Sequence, residues 1–212
     1  MAESDTSGDR IAGGAMLAGV AITLLAMAHH PTSAHAGPIG PVVHAAMIAV
    51  VSTTTFAFAH FSRRRGLGRP AVLAGLVAYA VALFGHVGAA TISGFIVPAL
   101  AGHGGGAISH DLFLFAWESN QALANLGVAF TSAAFLLWSL DFLGRGGAEP
   151  RLIGLAGLLA AVVPAVLIAG GWMSLDVRGA FFAYAVHGAW IALVGLHLLR
   201  GGLVPVSPQP GT

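Results

Sequence analysis

The stretch LIGLAGLLAAVVPAVLIAGG, residues Leu152–Gly171, decides the fold class of this chain. It has no charged side chain, and a helix of this length is long enough to cross the roughly 30 Å hydrocarbon core of a bilayer. Apolar residues follow one another without the alternation of a barrel strand, so the run predicts a transmembrane helix.

Five further runs of the same kind are present in the sequence. They are Ile11–Ala28, Val42–Phe61, Ala71–Ile92, Leu112–Leu140 and Ala180–Leu199. The connections between the runs contain the proline and glycine residues that are typical of turns. The sequence therefore predicts an all-α integral membrane protein, one transmembrane domain over residues 1–212 built as a six-helix bundle in a lipid bilayer. In the remaining segment, Ser93–His110, the apolar part is too short to cross again, so we expect a re-entrant or interfacial turn there.

The composition supports a lipid environment and excludes several functions. Apolar residues make up 57% of the chain and charged residues 8%, against about 25% charged residues in an average soluble domain. A net charge of +1 offers no general attraction for nucleic acid. The chain has no Cys, which excludes disulfides, thiolate nucleophiles and Cys-ligated zinc or iron–sulfur centres. No nucleotide-binding or hydrolase motif is present, and the sequence does not decide whether the protein is an enzyme.

Arginine distribution predicts the orientation of the bundle. With the N-terminus in the cytoplasm, eight of the nine arginines fall on the cytoplasmic side and only Arg178 falls outside. Such a bias is typical of proteins of the bacterial inner membrane, and we expect both termini to be cytoplasmic. Ala34-His35-Ala36 has the spacing of a signal-peptidase site, and cleavage there would leave five spans. The acidic leading segment favours retention of the first span.

Two features of the spans predict how they pack. Small residues three or four positions apart let helix backbones approach closely. These pairs are Gly14 and Ala18, Gly75 and Ala78, Gly85 and Ala89, and Gly154 and Gly157. Trp117 and Trp138 are spaced to mark the two membrane interfaces of the fourth span, whereas Trp190 fits no such belt and is expected inside the bundle.

The chain is rich in histidine, and the topology groups several of its ten histidines in one layer. His86 and His187 lie about 10 Å from the outer ends of their spans, His44 lies one turn into its span, and Glu118 lies at the outer end of the fourth span. Ionisable groups at membrane depth usually face the bundle interior. Imidazole is the commonest metal ligand and also an axial ligand of haem iron. We therefore predict a site for haem b, copper, zinc or iron, with His86 and His187 as core ligands and His44 or Glu118 assisting. Plain interhelical hydrogen bonds by the same histidines remain an alternative.

A second group of histidines, His29, His30 and His35, lies in the first outer loop beside prolines. This composition is typical of loose metal binding but also of an uncharged polar loop. Met16, Met27, Met47 and Met173 could supply thioether ligands to copper(I) or simply fill the core. Ligands on rigid helices lose less freedom on binding, so we expect a cofactor to depend on the intramembrane histidines more than on this loop.

Two other functions remain open from the sequence. The same histidines and Glu118 could line the path of a small proton-coupled transporter. Alternatively, the bundle could be a non-catalytic subunit or assembly factor, bound to a membrane-protein partner or to further copies of itself.

The predicted orientation can be tested with reporter fusions. Reporters placed after Thr212 and within the Arg63–Arg69 loop should both give a cytoplasmic signal, because positively charged loops are retained on that side. A periplasmic signal at either position would contradict the predicted topology.

Overall fold

The computed structural model describes residues 6–30, 39–103 and 109–202. Its elements are α1 (Thr6–Ala28), α2 (Ile39–Arg65), α3 (Pro70–Thr91), a π-helical turn (Ile92–Ile96), α4 (Val97–His103), α5 (His110–Leu143), α6 (Ala148–Ala169) and α7 (Val177–Leu199). Six helices are long and apolar enough to cross a membrane. The predicted all-α bundle of six spans is thus confirmed, and the protein is a multi-pass membrane protein whose helices suit a lipid bilayer.

The third span is longer than predicted. One helical segment runs from Pro70 to Gly102, because α3 passes through the π-helical turn directly into α4. Residues 93–103 therefore continue the helix instead of turning back at the interface, and Pro98 is the second residue of α4, directly after the π-helical turn.

The six long helices form a closed ring in which each packs on its neighbours in the chain. The contacts run α1–α2–α3–α5–α6–α7, and α7 packs back on α1. One end of the ring holds Arg64, Arg65, Arg69 and Arg145, and we call it the arginine face. The opposite end holds His30 and His44, and we call it the histidine face. Which face is cytoplasmic stays a prediction.

An aromatic cluster fills the ring on the side nearer the arginine face. Trp138 stacks between neighbours, with ring centroids 4.6 Å from Phe58 and 6.3 Å from Trp190. The indole nitrogens donate to backbone carbonyls, Trp138 to Val72 at 3.2 Å and Trp190 to Ile153 at 3.0 Å. Trp190 is inside the bundle as predicted, but the interfacial placement of Trp138 was wrong, because this side chain has no solvent exposure.

Glycines bring helix backbones close together at two crossings. A Cβ on Gly85 would lie 2.6 Å from the backbone nitrogen of Gly127, and a Cβ on Gly13 would lie 2.6 Å from the carbonyl oxygen of Gly195. The small-residue pattern therefore correctly selected Gly85 as a point of close backbone approach. For α1 the pattern selected Gly14, but no atom lies within 4 Å of a Cβ placed on Gly14, and the close contact is made by Gly13.

Two buried carboxylates, Asp9 and Asp141, pair with arginines of the arginine face. Asp141 accepts hydrogen bonds from Arg65 and forms an ion pair with Arg69 at 2.8 Å. Asp9 accepts from His60 at 2.7 Å and pairs with Arg64 at 2.9 Å. These pairs tie α1 to α2, and α5 to α2 and the start of α3. The Arg63–Arg65 cluster therefore joins helices as well as adding positive charge to this face.

Replacing Asp141 with Asn should destabilise the bundle strongly. Arg65 would remain buried without its counter-charge, and breaking a buried pair from one side costs about 3–5 kcal/mol. The free energy of unfolding can be measured by titrating detergent-solubilised protein with sodium dodecyl sulfate. Asp111→Asn is the control on the same helix: Asp111 is exposed, so its loss should cost less than about 1 kcal/mol. Equal effects of the two substitutions would contradict a structural role for the buried cluster.

Candidate histidine-lined cavity

The space inside the ring that the aromatic cluster leaves open forms a cavity, which we call the central chamber. Its volume is about 80 Å³, and its walls come from α1, α2, α3, α5 and α7. Most of the lining is aliphatic, and the polar side chains are Thr23, Thr54, Tyr79, His86, Thr131, Tyr184 and His187. His86 and His187 therefore reach one cavity, as the sequence analysis expected, although their role as ligands stays a prediction.

Both histidines of the central chamber already have hydrogen-bond partners. His86 Nε2 lies 3.1 Å from the Thr131 hydroxyl, and its Nδ1 lies 3.3 Å from the Tyr184 hydroxyl. His187 Nε2 lies 3.3 Å from the Ser132 hydroxyl. Hydroxyls can donate or accept, so each of these contacts is compatible with either tautomer of the ring that makes it. The bonds join α3, α5 and α7, which is what the interhelical hydrogen-bond alternative requires.

A second cavity, the rim chamber, adjoins the central chamber on the side of the histidine face. Its volume is about 120 Å³. The lining includes Met27, His30, His44, Met47, Trp117, Asn120, Gln121 and Asp176. The two chambers share Met47, His86, Ala90 and Tyr184 as wall residues. Since Trp117 and Asp176 are exposed, the rim chamber reaches the surface of the bundle.

Two imidazole rings face each other at the rim chamber. The Nε2 atoms of His30 and His44 are 3.2 Å apart. His44 Nδ1 donates to the Gly40 carbonyl at 2.7 Å, so in the neutral ring Nε2 carries the lone pair and accepts a hydrogen bond from His30. His44 is also 4% exposed. One histidine is thus fixed in ring orientation and tautomer, with its lone pair directed at the other ring.

The π-helical turn makes room for His44. A Cβ on Gly94, in the middle of this turn, would overlap the His44 side chain. Asn120 of α5 stabilises the distorted backbone, because its Nδ2 donates to the Ala89 carbonyl and to the Ser93 hydroxyl, each at 2.8 Å. Single π-helical turns are frequent at functional sites. Here the turn brings Gly94 against the His44 side chain, and Ser93 and Asn120 form the adjoining wall of the rim chamber.

Asp176 lies at the surface edge of the rim chamber and caps α7. Its Oδ1 accepts from the backbone N–H groups of Gly179 at 2.9 Å and Arg178 at 3.0 Å. These hydrogen bonds, that from Gly179 first, hold the pKa of Asp176 below its usual range. The carboxylate is therefore committed to the helix terminus.

The predicted ligand set is only partly brought together. His44 and His86 line the rim chamber and His86 and His187 line the central chamber, whereas Glu118 is exposed on α5 and lines neither. Across the described ranges, no three His or carboxylate side chains converge as a metal-binding group. The four residues therefore do not form one compact site here, because Glu118 is exposed on α5 while the neighbouring Asn120 and Gln121 line the rim chamber.

The loop histidines separate in the structure. His29 is exposed and bonds to the Leu25 carbonyl of its own helix at 2.9 Å, His30 faces His44, and His35 lies outside the described residues. The sequence analysis missed the pairing of His30 with His44 and the contribution of Tyr184. Helical spacing offered a signal for the first, because Met27 with His30 and His44 with Met47 are each three positions apart.

Comparisons with protein-family models, with curated proteins and with solved structures find no match to this chain. The class of protein is therefore defined by the geometry alone: a multi-pass helical membrane bundle with two adjoining, histidine-lined chambers near one face.

Substituting Gly127 with Ala should disturb the His86 side of the cavity. The added methyl would lie 2.7 Å from His86 Nδ1, and such overpacking typically costs about 1–3 kcal/mol. Gly14→Ala is the matched control, since nothing lies within 4 Å of its Cβ position, and it should be neutral or stabilise by up to about 1 kcal/mol. Thermal unfolding in detergent compares the two. A stable Gly127→Ala variant would mean that His86 is not held against α5.

Proposed function

We propose that the protein is a metal-handling protein of the bacterial inner membrane, which takes a transition-metal ion into the chambers at its histidine face. The observation that carries this proposal is the opposed pair of Nε2 atoms of His30 and His44. Two ligand nitrogens at 2.0–2.1 Å from a tetrahedral ion lie about 3.3 Å apart. The observed 3.2 Å already matches that separation.

The surroundings of His44 support a ligand role. Histidines that bind metals usually donate their other ring N–H to a carbonyl or carboxylate, which fixes the ring and raises its basicity. The Gly40 carbonyl supplies this partner. On metal binding, the His30 proton moves from Nε2 to Nδ1, so both Nε2 lone pairs become available without a change in the charge of either ring.

His86 and His187 extend the site inward. His86 belongs to the walls of both chambers, so an ion leaving the His30–His44 pair would meet it next and His187 after it. The volumes of about 80 and 120 Å³ are below the roughly 150 Å³ of a cavity that accepts benzene. These small volumes favour a metal ion as the ligand, because the haem macrocycle is far larger than benzene. The exposed Glu118 has no role in this proposal.

Proton-coupled transport is the second candidate. The observation that favours it is the row of titratable side chains His44, His86 and His187 along the adjoining chambers. The aromatic cluster around Trp138 closes this row off from the arginine face, so transport would require Phe58 and the two buried tryptophans to move. A substrate-driven pH change in vesicles containing the protein, without bound metal, would favour this candidate over metal handling.

Substituting His44 should remove the metal. Purified full-length protein is loaded with excess zinc(II) or, under reducing conditions, copper(I), desalted, and analysed for metal per chain. The wild type should retain about one ion, and His44→Ala should retain little, because it loses the imidazole whose orientation the Gly40 carbonyl fixes.

His29→Ala provides the matched control for this experiment. His29 neighbours His30 but is exposed and bonds to its own helix, so its loss should leave the bound metal unchanged. A wild-type protein that retains neither metal would overturn the proposal, as would equal retention by the wild type and His44→Ala.

A further inference from the structure

The walls of the rim chamber contain two methionines in a symmetric relation to the histidine pair. Met27 precedes His30 by three positions at the end of α1, and Met47 follows His44 by three positions in α2. All four residues line the rim chamber. His44 and Met47, three apart on α2, lie on one side of that helix, and Met27 with His30, which follows the end of α1, lines the same chamber. Each of the two segments thus presents one thioether and one imidazole to the same space.

We propose that Met27, His30, His44 and Met47 form a copper(I) site in the rim chamber. This inference rests on the proposed function and specifies which metal it concerns. Thioether sulfur is a soft ligand that selects copper(I), whereas zinc(II) and iron(II) favour imidazole, thiolate and carboxylate. A mixed set of two imidazoles and two thioethers therefore suits copper(I) better than any divalent ion.

The rest of the rim chamber provides few oxygen ligands for an ion that is harder than copper(I). Among the described residues in its lining, Asp176 is the single carboxylate, and its Oδ1 already accepts two backbone N–H groups of α7. The Asn120 side-chain oxygen accepts a hydrogen bond from Gln121 Nε2 at 3.4 Å, and both amide nitrogens donate to carbonyl or hydroxyl oxygens.

Charge also favours copper(I) in this position. Met27 and His44 are each 4% exposed, and placing charge in such surroundings is costly. Two neutral imidazoles and two thioethers leave the charge of the ion uncompensated, so a copper(I) complex carries one positive charge where a zinc(II) complex would carry two. The desolvation cost is therefore lower for copper(I).

The experiment compares the affinities of the full-length protein for the two metals. Copper(I) is titrated anaerobically, with ascorbate as reductant, in competition with bicinchoninate, and zinc(II) is titrated against a chromogenic chelator. The double variant Met27→Leu/Met47→Leu keeps side-chain volume. It should bind copper(I) at least about tenfold more weakly. Loss of a group that only supports a metal ligand already lowers metal affinity by about 10–100-fold, and loss of the ligands themselves should have at least the smaller of these effects. Its zinc(II) affinity should not change.

Met173→Leu is the control for general effects of removing a thioether. Met173 packs near Leu175 and Val128 outside the lining of the rim chamber, so this variant should bind copper(I) like the wild type. X-ray absorption of the copper-loaded wild type should show both nitrogen and sulfur neighbours, and the sulfur contribution should disappear in the double variant.

The outcomes separate this inference from the proposed function. Unchanged copper(I) affinity in the double variant, an equal loss for both metals, or a copper ion without sulfur neighbours would overturn the copper(I) site while leaving metal binding by His30 and His44 intact. A wild-type protein that binds neither metal would overturn both.

Discussion

The structure depends on how a closed ring of six helices fills its own centre. In lipid, helices associate through close packing and not through a hydrophobic drive, so a ring needs large side chains inside it. Phe58, Trp138 and Trp190 stack there on the side of the arginine face. Toward the histidine face the inward side chains are smaller and more polar. Both chambers follow from this unequal filling of the ring.

Polar groups are satisfied in different ways at the two ends of the bundle. Near the arginine face, charged groups pair directly, as Asp141 does with Arg65 and Arg69. Near the histidine face, neutral rings bond to hydroxyls, to a carbonyl or to each other. The charged groups of the first arrangement are not free to bind a ligand, because they already pair with one another. The second uses neutral nitrogen lone pairs, the groups on which the proposed function rests.

Sequence periodicity and charge predicted the number and type of spans, because a continuous apolar run of about 20 residues has few other stable forms in a membrane. Depth along each helix also placed His86 and His187 in one layer. Rotation about the helix axis was harder to predict, since a bundle that is apolar all round gives little contrast between faces. For this reason Trp138 was assigned to an interface, Gly14 was chosen instead of Gly13, and Glu118, which lines neither chamber, was grouped with the histidines.

The packing of α7 against α1 means that the first and last spans are neighbours, with the backbones of Gly13 and Gly195 in contact. The described part of the chain therefore enters and leaves the bundle side by side at the arginine face. A short linker could join these two ends, and the chain could be opened instead at another connection on the same face, such as that between Arg65 and Pro70. The resulting circular permutant would keep every helix-to-helix contact. The same arrangement of helices in space could thus be formed by a chain in which the spans follow one another in a different order.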